Sequence, residues 1–220
     1  MAFFEEYGMM LLTATGQTLF MVVLSTLFSY LLGMPLGVLA FITAPGSITP
    51  RPRLYTMLDW IINITRSIPF IILLVAIIPF TRMVVGTYIG PKGAVVPLTV
   101  AAIPFVARMV QSSMNELDRG IIESTRAMGA TNVQIVTRVL LPECLPSLIQ
   151  GMSITTITLI GYAAMAGTVG AGGLGDVAIR YGHSRYQPDV MFACIVILVA
   201  IVQLIQLGFD KLVKKMDKNV

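Results

Sequence analysis

Residues 123–146 read ESTRAMGATNVQIVTRVLLPECLP, and how this stretch folds decides the architecture of the chain. It lies between long uncharged runs that look like membrane spans. Yet it carries Glu123, Arg126, Arg138 and Gly129, and it spaces its apolar residues as a water-facing helix does. Just upstream, Asp118 is placed to cap a helix running through Met128. Gly129 is the residue type that ends a helix in the left-handed conformation. Thr131, with Gln134 three residues on, matches a capping box. It starts a second helix on which Val133, Val136 and Leu140 share a face, while Asn132 lies on the polar side, where its loss is expected to be silent. Pro142 and Pro146 stop or redirect that helix. The segment therefore reads as a short helix, a glycine corner and a second amphipathic helix. On physics alone it fits a helix lying on the membrane surface. A DNA-reading helix-turn-helix is a poor fit, because both ends are tethered to lipid-spanning segments.

Composition sets the solvent around this corner. Of 220 residues, 56% are hydrophobic and 12% charged, with a net charge of +4. Soluble domains carry about 25% charged residues, so this chain's solvent is largely lipid. The basic balance then speaks to membrane orientation and not to nucleic acid. Cys144 and Cys194 lie fifty positions apart in apolar surroundings, and His183 is the single histidine, which argues against a disulfide framework or a metal site. The acidic N-terminus, MAFFEEYGMM, does not resemble a cleaved signal.

Five spans are expected, near residues 15–42, 57–80, 88–108, 147–168 and 190–209. Residues 1–14 would be an external N-terminal segment and 211–220 a basic tail. In the first span Gly33-Met34-Pro35-Leu36-Gly37 would loosen or kink the helix. The third contains Pro97 and Pro104, and Lys92 snorkels at its start. Asp59 and Arg66 stand at the head of the second span, seven residues apart, where they are placed to pair on one face; alternatively Arg66, beside Pro69, lines the mouth of a pathway. Eleven of the fifteen Lys and Arg residues fall on the side of the corner and four on the other. The corner is thus expected in the cytoplasm, with the N-terminus outside and the C-terminus inside.

The corner also carries a resemblance. Glu123-Ser124-Thr125, then Gly129, then Leu141-Pro142 at the signature spacing, with Val139 at its isoleucine position, is similar to the cytoplasmic-loop signature of type I ABC importer permeases. Ser124 and Thr125 stand where the signature has alanines. Arg66–Leu74, Ile78–Arg82, Ala127–Thr131 and Val169–Gly175 further resemble the methionine importer permeases of bacteria. The resemblance implies an all-α integral membrane fold of five transmembrane helices, with a coupling helix between the third and fourth. It implies that Glu123, Arg126, Ala127, Met128, Gly129, Ala130 and Thr131 meet a separate ATPase subunit. It also implies a homodimer in the bacterial cytoplasmic membrane, two ATP-binding subunits holding ATP and magnesium, and an external substrate-binding lipoprotein. This chain would bind no cofactor of its own.

Other motifs are weaker. Gly170–Gly175, GAGGLG, fits a dinucleotide fingerprint literally, but a membrane-length run precedes it where a strand is needed; it reads better as a flexible external loop packed closely on its neighbours. There is no phosphate-binding GxxxxGK[ST]. Met165, flanked by Gly161 and Gly167, is either a pathway gate or ordinary helix packing. With Arg66 and Pro69 it completes the candidate pathway residues. The rival class is an ion-coupled secondary transporter, which wants buried carboxylates that the span interiors lack.

Overall fold

The computed structural model describes residues 2–216, and within them every regular element is helical. The helices are α1 (Ala2–Thr43), α2 (Pro52–Ser67), α3 (Phe70–Ala76), α4 (Ile78–Val85), α5 (Gly90–Asn115), α6 (Arg119–Ala127), α7 (Asn132–Gln134), α8 (Leu141–Glu143), α9 (Leu145–Gly167), α10 (Gly173–Val177) and α11 (Pro188–Met216). Two π-helical turns, Ile135–Leu140 and Ala178–His183, extend α7 and α10. Of these, α1, α5, α9 and α11 are long and apolar enough to cross a membrane, and α2 with α3 makes a fifth span if the bent pair counts as one.

Two expectations about the ends are revised. Residues 2–14 do not form a separate segment; α1 runs unbroken for 42 residues, about 63 Å, twice the hydrocarbon thickness. At the other end, residues 211–216 continue α11, while the last four residues of the expected tail, Lys218 among them, lie outside the described residues.

α5 is the centre of the bundle: 61% of its most apolar window is buried, against 11% for α11, which leaves α11 at the rim. α1 lies along α5, and GMPLG makes this possible. The helix does not break at Pro35, and the two glycines are contact points instead. A Cβ on Gly33 would stand 2.7 Å from the Ile103 carbonyl, and one on Gly37 2.5 Å from that of Ala107. In lipid no hydrophobic force draws helices together, so close approach through small residues supplies the packing. Around this seam Met21, Leu98, Leu159 and Ala163 form one buried cluster, and Phe41, Val110, Met114, Ile135, Leu140 and Leu148 another.

The second span is not the single helix expected over 57–80. α2 and α3 meet at 100°. Pro69 has no N–H to give the Thr65 carbonyl, and it drives the preceding Ile68 to an extended conformation (φ −80°, ψ 122°). Ile77 and Pro79 then separate α3 from α4. α2 is fastened to α5 by charge. Arg108 donates through Nη2 to Asp59 Oδ1 at 2.7 Å and Asn63 Oδ1 at 2.8 Å, and through Nη1 to Gln111 Oε1 at 2.8 Å. The expected partner of Asp59, Arg66, takes no part in this cluster; Asn63, one turn from Asp59, and Arg108, across on α5, are the groups within reach.

At the end of the bundle away from the corner, GAGGLG follows helix α9, not a strand, which removes the dinucleotide reading. It is packed closely, as expected: Gly173 N–H donates to Gln17 Oε1 at 2.8 Å and Leu174 N–H to Thr18 Oγ1 at 2.9 Å.

Candidate functional site

The corner is built from residues that satisfy one another's backbone. Asp118 Oδ1 accepts from Gly120 N–H at 2.9 Å and caps α6. α6 ends on Gly129 (φ +83°), with Gly129 N–H on the Arg126 carbonyl at 2.9 Å and Ala130 N–H on that of Thr125 at 3.3 Å. This pair of bonds is a Schellman motif, which needs a left-handed residue at Gly129. Thr131 and Gln134 form a reciprocal capping box: Thr131 N–H donates to Gln134 Oε1 at 2.8 Å, and Gln134 N–H to Thr131 Oγ1 at 3.3 Å. The N–H groups of Gly129, Ala130, Thr131 and Gln134 are thus all bonded within the corner.

Which side faces inward differs from expectation. Val133 is 70% exposed, whereas Ile135 and Leu140 are fully buried and Val136 is partly so. The cause is the π turn over Ile135–Leu140, whose wider winding puts residues five apart on one face. Pro142, just beyond, has no N–H for the Arg138 carbonyl, which favours that wider pattern. Asn132 is also not idle: its Nδ2 donates to Thr49 Oγ1 at 3.1 Å. Arg126 Nη2 donates to the Ile48 carbonyl at 2.7 Å. Both bonds tie the corner to the loop between α1 and α2. Glu123, Ala127, Met128 and Thr131 remain outward-facing, Met128 being 78% exposed, and Glu123 has no ion pair among the described residues. Ala130 is half-buried against the cluster below. Behind the corner Cys144 Sγ donates to the Leu140 carbonyl at 2.7 Å, and burial pushes its thiol up to about 11, so it stays protonated and inert.

The second feature is the break at Ile68–Pro69. It opens a cleft of ≈230 Å³ whose wall includes Arg66, Ile68, Phe70, Ala101, Phe105 and Tyr162. Phe70 and Tyr162 stack with centroids 4.5 Å apart and planes within 1°. Met165 does not line this cleft. It lies one turn beyond Tyr162 on α9, half exposed, on a strip with Gly161 and Ile154 that the chain itself leaves uncovered.

A bundle with five potential spans, a closely packed glycine seam and an exposed, doubly capped corner is the build of a transport subunit, and residues 33–218 match the family of binding-protein-dependent transport system inner membrane components. The chain belongs to that family. It is 49% identical over 208 residues to the probable D-methionine transport system permease protein MetI of Vibrio cholerae, covering 94% of this chain and 92% of that protein. It is 52% identical over 163 residues to the D-methionine transport system permease protein MetI of Escherichia coli K12, covering 74% and 75%. In a solved inward-facing structure of the MetNI methionine ABC transporter, one chain superposes with a TM-score of 0.96 at 50% identity, over 97% of this chain and 99% of that one.

Proposed function

We propose that this chain is the membrane permease of an ATP-driven importer of methionine. The reading is carried by the corner. A soluble-looking tip that keeps Met128, Val133 and Glu123 in the open is built to meet another protein, and relatives at about half identity are named as methionine permeases. The partner is an ATP-binding subunit, one per permease, which holds ATP and magnesium. Glu123, Ala127, Met128, Gly129, Ala130 and Thr131 form the dock, and Arg126 braces it from behind through Ile48. A second copy of the chain closes the pathway along the uncovered strip of α9, with Met165 as a gate and Arg66 and Pro69 at the broken span. An external binding protein delivers the substrate.

The test is reconstitution. Vesicles holding this chain with its ATPase and binding protein should import methionine when ATP is supplied, and should ignore an imposed proton or sodium gradient. Vesicles holding the chain alone should be inactive. Gradient-driven uptake by the chain alone would make it a secondary transporter.

The corner faces the cytoplasm in this reading, from the eleven-to-four division of basic residues. Ser184→Cys, at the opposite end, should react with an impermeant thiol reagent in intact cells, and Gly46→Cys, in the loop behind the corner, should react only after permeabilisation. The reverse pattern overturns the orientation.

A further inference from the structure

Arg66 is an exposed charge beside the broken span, with no partner among the described residues. Its guanidinium has no hydrogen bond or ion pair among the described residues, whose two salt bridges are Arg108–Asp59 and Arg180–Asp176. Asp59, the acid on its own helix, is held by Arg108 and Asn63. The cleft beside Arg66 is walled by Ala101 and Phe105, which lie about half-way along α5, roughly 16–23 Å from its first residue. An arginine in a spanning segment, beside a cleft, points first to a solute path.

We infer that Arg66 and the cleft at the α2–α3 break form a subsite for an apolar amino acid in transit, with the guanidinium taking its carboxylate. Three observations converge. A guanidinium stays charged at any working pH and matches a carboxylate in two parallel hydrogen bonds. The rest of the wall is mixed: Thr65 and the Tyr162 hydroxyl are polar, while Ile68, Phe70, Leu73, Ala101 and Phe105 offer the surface an uncharged, flexible side chain prefers. The break leaves the carbonyls of Arg66 and Ser67 without an N–H from the next turn, which is the acceptor chemistry an ammonium takes. The ≈230 Å³ cleft has room for about eight waters at ~30 Å³ each, the size of one small amino acid and too small for a peptide.

This inference rests on the importer reading, and one experiment separates the two. Wild type, Arg66→Gln, Arg66→Lys and Arg66→Cys are reconstituted with the ATPase and binding protein, and methionine uptake is expressed per assembled complex. Losing one charge-assisted carboxylate contact should lower uptake by about tenfold in Arg66→Gln and less in Arg66→Lys. In Arg66→Cys, an aminoethyl thiosulfonate, which restores a cation, should recover uptake. A sulfonatoethyl or methyl reagent should not, and excess methionine should slow the modification. Cys144 and Cys194 are buried and do not compete. If a variant fails to assemble, the lysine variant and the reagents applied to the cysteine variant carry the test. Wild-type complex that imports no methionine sinks the importer reading. Wild-type uptake matched by Arg66→Gln, or rescue of Arg66→Cys by every reagent alike, sinks the subsite.

Discussion

Gly129→Val is expected to leave the chain inserted and assembled while separating ATP hydrolysis from uptake. Nothing lies within 4 Å of where a Cβ on Gly129 would sit, so the substitution crowds no neighbour. The cost is conformational. At φ +83° a side chain meets its own backbone, which costs about 1–2 kcal/mol, and a β-branched residue is the worst case. The chain relieves that strain by leaving the left-handed region, which breaks the Schellman pair and changes the angle between α6 and the helix that starts at Thr131. A dock of the kind proposed above transmits force through that angle. Uptake should fall by about tenfold, the equivalent of ~1.4 kcal/mol. Gly129→Asn, which tolerates the left-handed region, should keep most of it. Uptake measured beside ATP hydrolysis in the same vesicles decides. If Gly129→Val transports as well as wild type with the ATPase bound, the corner is a surface helix and not a coupling element.

The corner was legible because its signals are local. Asp118, Gly129, Thr131 and Gln134 act on backbone groups two to five residues away, so the sequence contains both partners of each bond. What it hid was the π turn. One altered winding moves Ile135 inward and Val133 outward, and a 3.6-residue period cannot register that change. The broken span shows a different limit. Ile-Pro-Phe occurs at 68–70, 78–80 and 103–105. The first turns the chain by 100° and the second separates two helices, but the third sits inside α5 without ending it. The tripeptide is the same; the neighbours differ. Ile103 is pressed against Gly33 of α1 along the most buried helix, and that packing holds α5 together where α2 and α3, largely open on one side, bend. Tertiary context likewise assigned Arg108 to Asp59 across 49 residues, a pairing no local spacing could reveal.

That same seam carries a large expected effect on stability. In Gly37→Val the new Cβ would sit 2.5 Å from the Ala107 carbonyl oxygen and 2.7 Å from Val110 Cβ. The first obstacle is backbone of a continuous helix and cannot rotate away, so α1 and α5 must move apart by most of an ångström. Overpacking of this kind typically costs ~1–3 kcal/mol, and here it also forfeits dispersion contacts along the seam, because lipid gives separated helices no hydrophobic penalty that would push them back. Ala107 is fully buried and precedes Arg108, so the displacement reaches the clasp that holds α2 against α5. Gly37→Val should therefore lower the thermal midpoint of the detergent-solubilised protein, with Gly37→Ala intermediate. Gly16→Ala, on the same helix but facing open space, should hold or raise it, since alanine is the better helix former by about 1 kcal/mol. A Gly37→Val protein that melts with wild type would mean that the α1–α5 seam slides freely, and that the glycines are there for motion and not for contact.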